Sequence, residues 1–157
     1  MAWRGSRRGF SLTELAVVLG VLILAAAIIF PSIGALKRQG RLRVGAATVA
    51  ESLRTARSLA IAQSAAYSVD SPTTSQIRIY PGSAAYASGP VYRVETLPRG
   101  VLRESMAPAF VSFQPDGSLA QTGDLAVVIR DEQPKPDKRT ITVKAASGRI
   151  AVSGGSR

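Results

Sequence analysis

Neither cysteine nor histidine occurs among the 157 residues. The first absence excludes a disulfide framework, a thiol nucleophile and a thiolate metal site. The second removes the commonest general base and imidazole ligand. Acids are scarce too, ten against twenty Lys and Arg, and they form no paired carboxylate motif. The chain therefore reads as a non-enzyme with no catalytic residue, cofactor or metal. Its one acidic grouping, Asp131, Glu132 and Asp137, is interleaved with Lys135, Lys138 and Arg139 and reads as a solvated loop. Charge is missing altogether between Leu15 and Leu36, 22 mostly apolar residues. As a helix that run is long enough to cross roughly 30 Å of hydrocarbon.

What precedes the run is short and basic: Arg4, Arg7 and Arg8, then Gly9-Phe10-Ser11-Leu12-Thr13-Glu14. The arginines hold that end on the cytoplasmic side by the positive-inside bias. Gly9 offers a backbone without a side chain at a site a protease could cut. Glu14 places a carboxylate at the start of the apolar segment, at a cost on the order of 2.5–3.5 kcal/mol at bilayer depth, and such a group persists where it has a partner. A secretory signal peptide fits poorly. Its small-residue site would be Ala25-Ala26-Ala27, which lies mid-run with Ile28-Ile29-Phe30 behind it. Hydropathy alone leaves a permanent signal anchor open.

Gly9-Phe10-Ser11-Leu12-Thr13-Glu14-Leu15 resembles the class III signal of type IV pilins and type II secretion pseudopilins. The resemblance implies cleavage by a prepilin peptidase between Gly9 and Phe10, with N-methylation of Phe10. It makes Glu14 the fifth mature residue, where the family keeps a glutamate, and Pro31 the twenty-second, where the family often has a proline. Glu14 of one subunit would then neutralise the Phe10 amine of a neighbour and set the axial stagger of a filament.

The formal charge is +10, and +7 without the three leader arginines. Residues 37–57 carry Lys37, Arg38, Arg41, Arg43, Arg54 and Arg57 against Glu51 alone, so positive charge gathers just beyond the apolar run. Pro31, Gly34, Gly40 and Gly45 predict a bent or flexible stretch of helix there. Leu42, Ala46, Val49, Leu53, Ala56 and Ala60 then recur at alternating spacings of four and three. That is a helical stripe meant to lie on a globular domain. Arg43, Arg54 and Arg57 flank it and read as a solvated rim whose stems cover apolar surface.

From Ala66 the pattern changes to short alternating runs. Strands are expected at residues 67–69, 77–79, 91–94, 111–113, 125–129, 141–143 and 150–152, punctuated by Pro, Gly and Ser clusters. Pro115-Asp116-Gly117 reads as a hairpin turn. The expected fold class is α+β: a long N-terminal transmembrane α-helix followed by a small antiparallel β-sandwich domain, pilin-like. The organisation is a leader (1–9), a transmembrane assembly helix (10–36), an amphipathic continuation (37–65) and a β-rich periplasmic domain (66–157).

Three features point to one branch. Phe113-Gln-Pro115-Asp116-Gly117-Ser118, the later Ser147-Gly148-Arg149, and Arg54-Thr-Ala-Arg57-Ser-Leu-Ala-Ile-Ala are similar to the GspH/FimT family. That resemblance implies a minor pseudopilin or minor pilin. Its partners would be the prepilin peptidase, other pseudopilins or pilins, an inner-membrane assembly platform and membrane lipid. Some relatives on pili capture DNA with arginines near the Gly-Arg turn. That turn here carries Arg149 alone, with Ala151 where a second arginine is expected and only Lys144 and Arg157 to compensate, so DNA is the less favoured partner.

Overall fold

The computed structural model describes residues 11–86, 89–133 and 136–154, with backbone alone for residues 28–33 and 35. The chain forms one long helix, α1 (Leu12–Gln63), and eight strands. These are β1 (Tyr67–Thr73), β2 (Gln76–Pro81), β3 (Arg93–Thr96), β4 (Val101–Ala107), β5 (Phe110–Phe113), β6 (Leu125–Asp131), β7 (Lys138–Val143) and β8 (Ile150–Gly154). Two compact units result, Met1–Lys37 and Arg38–Arg157.

In the first unit, Leu15, Val17, Val18, Leu19, Val21, Leu22, Ile23 and Leu24 are all exposed around the helix. A helix that is apolar on every side needs lipid or other helices around it. Among the described residues no helix is long and apolar enough to cross a membrane, and the side chains of the run are described without a break only as far as Ala27. Helical backbone continues through Pro31, Gly34, Gly40 and Gly45 without interruption.

The second unit is built on the helical stripe. Leu42, Ala46, Val49, Leu53, Ala56 and Ala60 are all buried, as their spacing requires, and Ala50 joins them. Two four-stranded antiparallel sheets share this surface, ordered β3-β2-β1-β5 and β4-β6-β7-β8. The first contributes Val69, Ile77, Ile79, Val111 and Phe113 to the core, and the second Val101, Leu125, Val127, Ile129, Ile141 and Val143. β6 shows the cleanest alternation, with Leu125, Val127 and Ile129 inward and Ala126, Val128 and Arg130 half-exposed between them.

Gly45 has a role that helix propensity hides. A Cβ there would stand 2.9 Å from Val101 Cγ1 and 3.4 Å from Ile129 Cδ1. The missing side chain is what lets α1 approach β4 and β6.

The structure has one strand more than the sequence pattern predicts. β4, with the sequence VLRESMA, lacks a steady period of two because its pairing with β6 shifts between Arg103 and Ser105. Such a bulge puts two residues opposite one and breaks the alternation that marks a strand. β3 also begins two residues later than expected. Its Val94 is exposed, while Arg93 and Glu95 share the face of their partners Ile79 and Ile77.

Leu53, at the centre of the stripe, is 1% exposed. Truncation by Leu53→Ala is expected to destabilise the β-unit by about 2–5 kcal/mol, read as an earlier midpoint in urea unfolding followed by β-sheet circular dichroism. The same truncation at the half-exposed Ile61 should cost clearly less.

Candidate functional site

Arg57 and the loops at Gly117 and Ser147, part of the later stretches that carry the resemblance, meet toward the C-terminal end of α1. Arg57 Nε donates to the carbonyl of Gly117 at 3.0 Å, and Arg57 Nη2 donates to the carbonyl of Ser147 at 2.9 Å. One guanidinium thus ties the helix to both the Pro115-Asp116-Gly117 loop and the Ser147-Gly148 turn. The two loops also join directly, Leu119 N donating to Ala145 O at 3.1 Å. Arg57 was expected on a solvated rim, but its planar fork serves two carbonyls from two different nitrogens. Helical periodicity could place Arg57 beside the stripe; only the tertiary fold could bring residues 117 and 147 to it.

Both glycines are required by geometry. Gly117 has φ +80° and Gly148 φ +60°, the left-handed region that side chains resist. A Cβ on Gly148 would lie 2.2 Å from Gly117 O and 2.9 Å from Arg57 Nε, in the space the clamp occupies. The first loop is further set by Asp116, whose Oδ1 accepts from Ser118 N at 2.9 Å and Ser118 Oγ at 2.7 Å. These bonds, the Ser118 hydroxyl foremost, hold the Asp116 carboxyl below its ordinary range. The turn expected here is present, and in addition it is a docking point for the helix.

Lys144 and Arg149 come together across the second turn, Lys144 N donating to Arg149 O at 2.9 Å. The ammonium of Lys144 is engaged: it bonds Asp124 Oδ2 at 2.6 Å, while Ala145 N donates to Asp124 Oδ1 at 3.0 Å. Lys144 first and Ala145 second hold the Asp124 carboxyl below its usual value. Arg149 is exposed. Arg157, Gly9 and Phe10 lie outside the described residues. Glu14 stands in the first turn of α1 with an exposed side chain, and Pro31 lies within the helix.

The acidic loop differs from its expected form. β6 extends to Asp131, which is 5% exposed, and its carboxylate accepts from Asp137 N at 3.2 Å. Asp131 therefore closes the loop from inside the fold instead of facing water. Among the described residues no group of three acidic side chains is placed to hold a metal ion. The most buried ion pair among the described residues is also structural. Arg78 grips Asp70 through Nε and Nη2 and lies 3.8 Å from the ring centroid of Tyr86.

A family model described as type II transport protein GspH matches residues 45–148. That span opens at the glycine where α1 meets β4 and closes at the glycine under the Arg57 clamp. Among solved structures, the chain is similar to the type IV minor pilin FimU of Pseudomonas aeruginosa strain PAO1 in two crystal forms. The first has a TM-score of 0.63 at 20% identity and covers 76% of this chain and 92% of that one. The second has a TM-score of 0.60 at 20% identity, covering 74% and 95%. This likeness is one of fold: a helix followed by antiparallel sheets. No curated protein matches the chain.

Arg57→Ala should destabilise the β-unit by about 1–3 kcal/mol through the carbonyls left without a donor, and Arg57→Lys should recover only part of that. Arg54→Ala, at an exposed pair 3.7 Å from Glu51, should stay within about 0.5 kcal/mol. Urea unfolding of the three variants checks the contrast. In a carboxyl-resolved NMR titration, Asp124 should titrate below an ordinary aspartate and move upward in Lys144→Gln. The sign follows from the depressed value: the stability this pair contributes is present above the unfolded carboxyl's range and disappears as acid protonates the folded one.

Proposed function

This chain belongs to the GspH family of type II transport proteins, and from that premise we propose that it is a minor pseudopilin of type II secretion, matured by leader cleavage and N-methylation. The family match supports the coarser reading, a pseudopilin- or pilin-like structural component and not an enzyme. The observation that carries the finer reading is the co-occurrence in one chain of two independent signals. One is the Gly9-Phe10…Glu14 junction with its apolar run, and the other is the GspH match over residues 45–148.

In this reading a prepilin peptidase cuts between Gly9 and Phe10 and methylates the new amine. Leu15–Leu36 anchors the chain in the inner membrane, with the leader cytoplasmic and the β-unit periplasmic. The apolar side chains exposed all round the helix are what lateral packing with other pilin helices and with lipid would cover. Glu14 gives the assembly its polar contact. A carboxylate beside a neighbour's Phe10 amine removes two charges from hydrocarbon together. An inner-membrane platform would then draw the subunit into a short filament.

A second reading, a minor pilin of a type IV pilus, is supported by the fold it shares with FimU. DNA binding within that reading would fall to Lys144, Arg149 and Arg157. The Asp124 pair on Lys144 speaks against it, because a phosphate would have to compete with a carboxylate already 2.6 Å away.

Gly9→Leu should leave the leader attached, and intact mass with N-terminal sequencing of the membrane-extracted protein reads the result. Normal processing of that variant would remove the class III assignment. Glu14→Ala should be cleaved and inserted as usual yet be depleted from sheared filaments relative to the unaltered chain. Equal incorporation would remove the amine pairing. Deleting the coding sequence and assaying secretion against pilus formation separates the two machines.

A further inference from the structure

An edge strand leaves a row of backbone N–H and C=O groups without a ladder, and folds blunt or cover such rows. The edges here are β3 and β5 of one sheet and β4 and β8 of the other. The first three are protected. β5 is capped: Ala120 N donates to Ser112 O at 2.8 Å, and Ser112 N donates to Gln121 Oε1 at 3.1 Å. β4 is bulged, and its Arg103 N donates to Thr74 O at 2.7 Å in the β1–β2 turn. β3 is short and carries the charged pair Arg93 and Glu95. Its start is also bulged, because Tyr92 N donates to Ile79 O opposite Arg93.

β8 has none of these devices among the described residues. It reads Ile150-Ala151-Val152-Ser153-Gly154, without charge or proline, and its register with β7 runs unbroken from Val143↔Ile150 to Arg139↔Gly154. Lys144 N donates to Arg149 O at 2.9 Å, which fixes the phase of the ladder. Ala151 and Ser153 therefore turn their backbone groups toward β7, while Ile150, Val152 and Gly154 turn theirs outward. No described backbone group takes up the outward row. Val152 shares the face of its buried partner Ile141 yet is 42% exposed, and Ala151, Ser153 and Gly154 are exposed as well.

We propose that β8 is a strand-addition edge that pairs antiparallel with β8 of a second copy of this chain, about a two-fold axis at Val152. The strand is self-complementary in that register. Val152 meets Val152 of the other copy and Ile150 meets Gly154, so every outward donor and acceptor of both strands finds a partner. Between these pairs Ala151 meets Ser153, small side chains that let the strands close. The two Arg149 side chains are carried to opposite ends, about 20 Å apart along the strands, so no like charges oppose each other. Sliding the register toward the turn would set Gly154 against Gly148, where the chain already reverses at φ +60°. The pairing uses the second unit alone and holds for either filament machine.

Because the chain has no native cysteine, disulfide trapping of the full-length protein in detergent reads the register. Ala151→Cys and Ser153→Cys chains with tags of different mass are mixed in equal amounts and mildly oxidised. Facing residues of such a pair stand about 4.5 Å apart at Cα, within disulfide reach. Each cysteine lies about 8 Å from its own counterpart, beyond that reach. The mixed dimer should therefore exceed both homodimers. Val152→Pro in both chains should abolish it with the β-sheet circular dichroism unchanged, since the N–H it removes faces away from β7. Val152→Lys, which sets two like charges at the axis, should abolish it too. Association through α1 alone favours neither position and gives a statistical mixture. That mixture, no disulfide at all, or a mixed dimer that survives both Val152 substitutions overturns the proposal.

Discussion

Two sheets can share one helix only if the helix presents side chains small enough for both to come close. Ala46, Ala50, Ala56 and Ala60 meet that demand, and Gly45 takes it furthest where β4 and β6 approach. Interiors pack at crystal-like density, so the width of the stripe fixes how near each strand may lie. Leu42, Val49 and Leu53 fill what the alanines leave open. From this follows the inward alternation of β1, β2 and β5 on one side and of β6 and β7 on the other. The positions of the turns between them follow as well.

Arg57 finishes what the stripe begins. Apolar contact is not directional and would let the far ends of the sheets slide along the helix. A guanidinium bonded to Gly117 O and Ser147 O sets both loops at one height. Gly148 then has to be glycine twice over, for its backbone angle and for the room the clamp needs. The three stretches on which the GspH/FimT resemblance was read, one arginine-rich helix end and two glycine turns, therefore meet at a single junction. Their role is architectural, in keeping with a protein that assembles instead of catalysing.

Charge is organised around the same frame. Within the sheets, bases meet carboxylates: Arg78 on Asp70, Lys138 on Glu104, Lys144 on Asp124. Among the described residues of the second unit, Arg38, Arg41, Arg43, Arg99, Arg139 and Arg149 have neither an ion pair nor a side-chain hydrogen bond, so its positive excess is spread between the start of the unit and the sheets. In the first unit exposed leucines and valines surround the helix. The second unit carries a core of its own.

The chain's order and periods were enough to reveal the helix stripe, because spacings of three and four survive any tertiary context. The same holds for β1, β2, β5, β6 and β7, whose inward residues repeat every second position, and for the α+β class; β8 lies where its alternation placed it, yet its Val152 is exposed. The lack of Cys and His excludes disulfide, thiol and imidazole chemistry. β4 was hidden because a bulge after Arg103 erases its alternation. The burial of Asp131 and the pairing of Lys144 were hidden because their partners, Asp137 and Asp124, meet them through loops and hairpins that no period encodes. Arg57 is the clearest case. Sequence could place it beside the stripe, but its bonds span 60 and 90 residues. Contacts at that range are decided by where the sheets come to rest, which only the packed structure determines.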